Sequence, residues 1–201
     1  MKSCIYDFET LSQDVFDGVV VNLATLMFDE SRFLERPYEF EDLVNDCKLI
    51  KFDVQEQVKV YGRKIQQGTL DWWASQGSDA QKLLKPSEDD VSISELHSFL
   101  IQETRIQEAE RVYTRGNAFD PVLLQSVLRH FNQKEPYDWW KLRDTRSLFD
   151  GMLYGSNINN KFIPPGIKEK FIAHDSCHDI AMDVMRYQTL VRMLNEDTEE
   201  V

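Results

Sequence analysis

The stretch Cys4-Ile5-Tyr6-Asp7-Phe8-Glu9-Thr10 reads as a β-strand whose apolar run is interrupted by two acids. Alternate side chains of a strand share a face, so Ile5, Asp7 and Glu9 point to one side. The other side carries the residues suited to a core, Cys4, Tyr6 and Phe8. Two adjacent carboxylates repel each other and lose hydration, which favours a cation, most simply a divalent metal, between them. The alternative is an exposed edge strand with solvated acids.

Length and composition indicate a globular protein of one domain, or of one domain with a small insert. The chain has 201 residues, of which 42% are hydrophobic and 29% charged, and both fractions are usual for such proteins. We assign residues 1–195 to a single domain and residues 196–201 to an acidic tail. No run of roughly 18 apolar residues predicts a transmembrane helix, and the N-terminus lacks the apolar segment of a signal peptide, so no membrane partner is expected.

The number and spacing of the cysteines predict the redox environment of the protein, and the net charge limits the partners to which it can bind. Cys4, Cys47 and Cys177 are too few and too widely spaced for a disulfide framework or a CxxC site, which predicts a reducing cytoplasm. The net charge of −12 argues against broad adhesion to nucleic acid or anionic membranes. A polyanionic substrate is still compatible if metals and a local basic patch offset the repulsion. Three basic clusters, each expected to be solvated surface, are Lys59/Arg63/Lys64, Lys141/Arg143/Arg146 and Lys161/Lys168/Lys170.

The rest of the sequence predicts a sheet that starts with antiparallel strands and continues with α/β units. Residues 19–28 form a β-branched strand paired with the first in a hairpin, and alternation around residues 49–52 predicts a third strand. Residues 69–76 form a short helix in which at most one of two adjacent tryptophans is core. Residues 111–115 form a strand that turns into the next helix, and residues 176–194 form an amphipathic helix.

Asp120 occupies a place that predicts either a helix cap or a site residue. It precedes Pro121, and this pair is typical of an N-cap followed by proline at the first helical position. It also follows a strand, at the carboxyl end of the predicted sheet, where the sites of α/β proteins form. Both interpretations are kept.

The densest run of potential chemistry is Ala173-His174-Asp175-Ser176-Cys177-His178-Asp179. One interpretation is a helix start with Ser176 as N-cap and Asp179 three residues on. A second is a zinc site from His174, Cys177 and His178, although no matching ligand pair occurs elsewhere. A third places Asp179 on the first helical turn, facing the sheet, and His174 on the loop before it, so that both approach one point. Asp175 would then either orient the histidine ring or be solvated.

In order and approximate spacing, these motifs resemble the three-part signature of DEDDh 3′–5′ exonucleases. The parts are Asp7-x-Glu9, then Asp120 after Asn117-Ala118-Phe119, then His174-x-x-x-x-Asp179. Within that superfamily, the stretches 5–10, 69–73, 115–117 and 173–176 are similar to those of phage exonuclease A and its relatives. The resemblance covers nearly the whole chain. It implies an α/β protein of the ribonuclease H-like fold, with a mixed five-stranded sheet flanked by helices.

The resemblance implies a set of catalytic residues, in which a general base, His174, accompanies four metal ligands, Asp7, Glu9, Asp120 and Asp179. Hard carboxylate oxygens suit Mg²⁺ or Mn²⁺, and two such ions can stabilise the attacking and leaving oxygens of an in-line displacement at phosphorus. A histidine with a pKa near 6.5 can take a proton from water near neutral pH. These roles imply 5′-mononucleotide products.

The resemblance also suggests contacts to the substrate strand. The candidate residues lie close to the acidic motifs and are Phe8, Thr10, Leu11, Arg115, Asn117 and Phe119. Phe8 would wedge against a base, although the strand alternation assigns it to the core, and Arg115 would hold a phosphate. The Trp139-Trp140 pair suits either a homodimer interface or core packing.

The resulting prediction is a metal-dependent 3′–5′ exonuclease that acts on single-stranded or frayed 3′ ends of nucleic acid, with DNA favoured over RNA. The alternatives are an exoribonuclease of the same fold, a phosphohydrolase built on a His174-Asp175 metal pair, and a ribonuclease H-like module that binds nucleic acid or protein without cutting. A phage-encoded enzyme would work in the cytoplasm of a bacterial host.

Overall fold

A mixed five-stranded sheet forms the centre of the molecule. The computed structural model describes residues 1–199, with side chains to residue 196. The strands are β1 (Lys2–Thr10), β2 (Val20–Asp29), β3 (Lys48–Lys51), β4 (Arg111–Thr114) and β5 (Leu142–Asp144). Their order is β3-β2-β1-β4-β5, and β1 runs antiparallel to β2 and parallel to β4. The predicted mixed sheet and the β1–β2 hairpin are confirmed, whereas β5 lies in a stretch for which the sequence pattern predicts no strand.

Helices flank the sheet. In the described residues they are α1 (Arg32–Glu35), α2 (Phe40–Asp46), α3 (Val54–Lys59), α4 (Gln67–Ala74), α5 (Ser78–Leu83), α6 (Leu96–Gln102), α7 (Asp120–His130), α8 (Thr145–Met152) and α9 (Ser176–Glu199). None of these helices is long and apolar enough to cross a membrane. The predicted last helix is confirmed and continues to Glu199, so residues 196–199 of the predicted acidic tail belong to α9. Residues 200–201 lie outside the described part of the chain.

The central strand β1 is buried on both faces, although its alternation predicts only one core face. On one face Tyr6 and Phe8 pack in a cluster with Leu124 of α7. On the other face Ile5 packs in a cluster with Ile180 of α9. Because β1 lies between β2 and β4, the alternative of an exposed edge strand is wrong. The two acids of β1 therefore project from the middle of the sheet on the side that α9 covers.

Two of the three cysteines form a disulfide, contrary to the prediction from their spacing. Cys47, directly after α2, is bonded to Cys177 on the first turn of α9, with the two Cα atoms 5.8 Å apart. Their separation of 130 residues hides the pair in the sequence, because only the packing of α2 against α9 brings them together. Cys4 is buried and free. The bond also removes Cys177 as a zinc ligand, so the zinc interpretation is wrong. The cellular compartment stays a prediction.

The four tryptophans divide into one core residue and three exposed ones. Trp73 of α4 is 2% exposed and donates from Nε1 to the carbonyl of Thr10 at 2.9 Å, whereas Trp72 is 43% exposed. The prediction that at most one of this pair is core is confirmed. Trp139 and Trp140 are 80% and 57% exposed, so the interpretation of that pair as core packing is wrong.

Candidate active site

Three carboxylates converge at the carboxyl-terminal half of β1. Asp7 and Glu9 project from the strand, and Asp179 comes from the first turn of α9. One oxygen of each lies within 4.8 Å of the others. The convergence follows from the alternation of β1, since the face that carries Asp7 and Glu9 is the face on which α9 packs. These three acids could therefore hold a metal ion.

The fourth acid, Asp120, is positioned by a backbone hydrogen bond. β1 pairs with β4 only from Ser3 to Ile5, and further along the amide of Phe8 donates to Asp120 Oδ1 at 3.2 Å. Asp120 is 4% exposed and is the first residue of α7, whose N-cap is Phe119. The predicted N-cap role of Asp120 is therefore wrong, and its side chain lines the same cavity as Asp7 and Asp179.

Burial raises the pKa of all four acids, and repulsion between carboxylates adds to this for Asp7, Glu9 and Asp179. Burial is the largest cause for Asp7 and Glu9, followed by the charge of Asp120 on Asp7 and of Asp179 on Glu9. Burial also raises the pKa of Asp120 to about 7, against an opposing backbone hydrogen bond, and that of Asp179 to about 7. A cation would relieve both the repulsion and the lost hydration. The donors are hard oxygens and fit Mg²⁺ or Mn²⁺ rather than a softer metal.

His174 lies on the loop before α9, as the third interpretation of its segment predicts. Its backbone adopts a φ of 63°, in the left-handed region that is uncommon for residues other than glycine. Its amide donates to Asp179 Oδ2 at 3.1 Å, and its ring stands edge-on to Trp72 with 4.8 Å between the ring centroids. Burial lowers the pKa of His174, so the ring is neutral at pH 7 and able to accept a proton.

The cap of α9 is Asp175 rather than Ser176. Asp175 Oδ1 accepts hydrogen bonds from the amides of the second and third residues of α9 at 3.0 and 3.2 Å. The hydroxyl of Ser176 instead donates to Asn22 Oδ1 on β2 at 2.9 Å. The predicted Ser176 cap is therefore wrong. The cap fixes the helical turn that carries Asp179, and it counts against a metal pair of Asp175 with His174.

A cavity of about 470 Å³ opens beside the acids and has a cationic wall. The basic residues that line it are Arg115, Arg146, Lys161 and Arg186. Arg115 and Arg186 bind the buried carboxylate of Asp183 at 2.8 and 2.7 Å. Arg115 therefore lies where a phosphate contact is predicted, but it is already held in an ion pair with Asp183, which it shares with Arg186.

Arg146 and Lys161 form no ion pair with an acid of the described residues, although both line the cavity. Both belong to clusters predicted to be solvated surface, and both are exposed as predicted, although they also line the cavity. The prediction is wrong for Arg63, which is buried and donates to a backbone carbonyl. Asp183 was detectable from the sequence, because it lies four residues after Asp179 and hence on the same face of α9.

The other predicted substrate contacts fall into different environments. The ring of Phe8 is 4% exposed and belongs to the core cluster, as the alternation predicts. Phe8 also lines both cavities, so its contact with a base stays a prediction. Leu11 is buried, with its amide and carbonyl both hydrogen-bonded within the chain. Thr10 and Phe119 line a smaller cavity of about 190 Å³ on the Glu9 side. Asn117 is exposed and accepts a hydrogen bond from a neighbouring threonine at 3.0 Å.

Comparison with known proteins identifies the family. The family model described as "3'-5' exoribonuclease Rv2179c-like domain" matches residues 2–190. The chain belongs to this family. A curated relative, the exodeoxyribonuclease of Enterobacteria phage T4, is 28% identical over 209 residues, which cover 96% of this chain and 90% of the relative. The family assignment makes this chain a 3′–5′ exonuclease.

Solved structures confirm the predicted ribonuclease H-like fold. Cell-death related nuclease 4 aligns over 96% of this chain and 64% of its own, with a TM-score of 0.63 and 15% identity. E. coli exonuclease I, in complex with a 5cy-dA13 oligonucleotide, aligns over 96% of this chain with a TM-score of 0.61 and 14% identity. The alignment covers 40% of the exonuclease I chain, so the present chain spans less than half of that enzyme.

The raised pKa values predict a pH-dependent gain in stability on metal binding. In metal-free protein, Asp120 and Asp179 keep their protons up to about pH 7, whereas the unfolded chain releases them near pH 4. The free energy of unfolding should therefore fall as the pH rises from about 4 through about 7. Mn²⁺ relieves the repulsion, so it should raise the Tm more at about pH 8 than at about pH 5.5.

Thermal melts with chelator and with Mn²⁺ at both pH values measure this gain. Asp120→Asn should raise the Tm of the chelated protein near pH 8 and reduce the gain from Mn²⁺. Asp71→Asn, which changes an exposed acid of α4 outside the site, should leave both quantities as they are. A gain from Mn²⁺ that is equal at the two pH values, or that survives Asp120→Asn, would contradict the assignment.

The unpaired cations predict a selective effect on substrate affinity. Lys161→Ala should raise KM for an oligonucleotide about tenfold, the factor expected when one charge-assisted contact is lost, with kcat little changed. Lys168→Ala removes an exposed lysine of the same sequence cluster that does not line the cavity, and it is the matched control. Steady-state kinetics of the two variants measure this difference. An equal rise in KM for Lys161→Ala and Lys168→Ala would show that Lys161 contributes only general surface charge.

Proposed function

We propose that this exonuclease is metal-dependent and removes 5′-mononucleotides from single-stranded or frayed 3′ ends. The observation that carries the proposal is the convergence of Asp7, Glu9 and Asp179 within 4.8 Å, beside the buried Asp120 and the neutral ring of His174. These four acids would hold two divalent ions, Mg²⁺ or Mn²⁺. When bound, such ions offset the charge of the phosphate and stabilise the oxygens that form and break bonds at phosphorus.

His174 is the proposed general base. The oxygen of a water molecule attacks the phosphorus of the terminal linkage, the bond from phosphorus to the 3′-oxygen breaks, and the water proton passes to the imidazole. The departing 3′-oxygen takes a proton from solvent. Burial keeps the ring neutral before the reaction, and the amide bond to Asp179 together with the edge contact to Trp72 holds the residue in place.

The cationic wall is the proposed binding site for the phosphates of the strand. Arg146 and Lys161 face the same cavity as the acids and supply local positive charge in a chain with a net charge of −12. The buried Asp183 binds Arg115 and Arg186 and offsets one of their two positive charges, so this network adds one net positive charge to the wall. In this arrangement the acids lie at the reacting phosphate, and the positive charges lie along the part of the substrate strand that leads to it.

We favour DNA as the substrate. The T4 relative is an exodeoxyribonuclease, and it aligns with this chain over 90% of its own length. RNA is the second candidate, because the description of the family names an exoribonuclease. The two substrates differ at the 2′-hydroxyl, which a protein can recognise with few contacts.

Replacement of the proposed base should lower the rate and leave metal binding unchanged. His174→Ala is expected to reduce kcat by about 10²- to 10⁴-fold near pH 7, the usual contribution of a general base. Titration with Mn²⁺ should give the same affinity as in the wild type, since the imidazole is not a proposed ligand. His130→Ala, at an exposed position at the end of α7, is the control. A loss of metal affinity in His174→Ala would indicate a ligand instead of a base.

Product analysis on matched DNA and RNA oligonucleotides tests the function itself. With 5′-labelled strands and Mg²⁺ or Mn²⁺, we expect a ladder that shortens from the 3′ end, that disappears with chelator, and that forms faster on DNA. A faster ladder on RNA would move the assignment to the second candidate. Binding of either strand without cleavage in the presence of metal would support the non-catalytic module.

A further inference from the structure

A second cavity, of about 470 Å³, lies along α7 outside the active site. We call it the α7 groove. One side is formed by residues of α7, and the other by the segment between α7 and β5. The residues used in the argument are Pro121, Gln125 and Arg129 on α7, and Lys134, Tyr137 and Trp139 on the facing segment.

The α7 groove begins where the active-site cavity ends. Asp120 lines the active-site cavity, and the next residue, Pro121, lines the groove. On the other wall, Leu142 of β5 lines the groove and Arg146, four residues later, lines the active-site cavity. From Asp120 to Arg129 the helix rises by about 13 Å at 1.5 Å per residue. A strand that leaves the active site along α7 would therefore pass through the groove.

The chemistry of the groove fits single-stranded nucleic acid. Trp139 is 80% exposed and stands edge-on to Trp140, with 5.9 Å between ring centroids. Exposed indoles are costly in water and offer faces on which bases of any sequence can stack. Arg129 and Lys134 are exposed beside them. Two acids, Glu135 and Asp138, also line the groove, and Glu135 accepts a hydrogen bond from the Gln125 amide at 2.6 Å.

We propose that the α7 groove binds the unpaired stretch of the substrate strand on the 5′ side of the nucleotides held in the active site, with Trp139 as its stacking platform. This inference rests on the proposed function, since it concerns the same strand. At about 3.4 Å per stacked nucleotide, the 13 Å rise of α7 from Asp120 to Arg129 corresponds to roughly four nucleotides. We therefore expect a strand of three nucleotides to be too short to use Trp139 and a strand of 12 nucleotides to reach it.

The test compares the binding of short and long strands by fluorescence anisotropy. The probes are 5′-fluorescein-labelled oligothymidylates and oligouridylates of three and 12 nucleotides, with Ca²⁺ present and turnover suppressed. Trp139→Ala should weaken binding of the 12-nucleotide strand about tenfold, within the range of one stacked base, and leave the short strand unchanged. Tyr154→Ala, which removes a 94% exposed aromatic residue from another turn, is the control and should change neither.

Other results would overturn the inference. Equal weakening of both lengths would place Trp139 in the general architecture of the active site. No effect at either length, with light scattering showing that Trp139→Ala converts a dimer into a monomer, would assign the tryptophans to a homodimer interface. If Trp139→Ala changes neither strand binding nor the oligomeric state, Trp139 has no role in binding the strand. The proposed function can fail independently of this inference. If the wild-type protein binds the long strand through Trp139 but does not shorten it, the groove assignment stands and the exonuclease assignment is contradicted.

Discussion

Four carboxylates share one buried space at the centre of this protein, and their repulsion has to be compensated there. Asp7 and Glu9 cannot withdraw to solvent, because β1 lies in the middle of the sheet and is packed on both faces. The amide of Phe8 and the first turn of α9 bring in Asp120 and Asp179. Divalent cations would supply the compensation with the fewest further requirements, which is the basis of the metal dependence proposed for this exonuclease.

The charges around this centre are arranged in layers. Asp183 lies four residues after Asp179 on α9 and is bound by Arg115, Arg186 and the hydroxyl of Thr145. Asp183 holds the two arginines in ion pairs and offsets one of their two positive charges. Arg146 and Lys161 line the cavity without an ion pair to an acid of the described residues, and in the proposed function they bind the substrate strand. A protein with a net charge of −12 can in this way present positive charge along one path.

Local sequence pattern was sufficient for features that one element determines, and insufficient for those set by packing between distant elements. The alternation of β1 predicts both its core face and the two acids, and the ordered motifs identify Asp120 and Asp179. The disulfide between Cys47 and Cys177 depends on α2 packing against α9. The ion pair between Arg115 and the buried Asp183, 68 residues away, likewise cannot be predicted from the local sequence pattern. The short strand β5 is defined by its pairing with β4 rather than by its own pattern.

The central claim is that the buried acids form a divalent metal site, and counting bound Mn²⁺ tests it most directly. Electron paramagnetic resonance of free Mn²⁺, titrated against the protein near pH 8, gives both stoichiometry and affinity. The account predicts two ions per chain for the wild type, with a lower stoichiometry or a much weaker affinity in Asp7→Asn. Asp150→Asn, which changes an exposed acid on α8, should bind like the wild type. Unchanged binding in Asp7→Asn, or no binding in the wild type, would contradict the account.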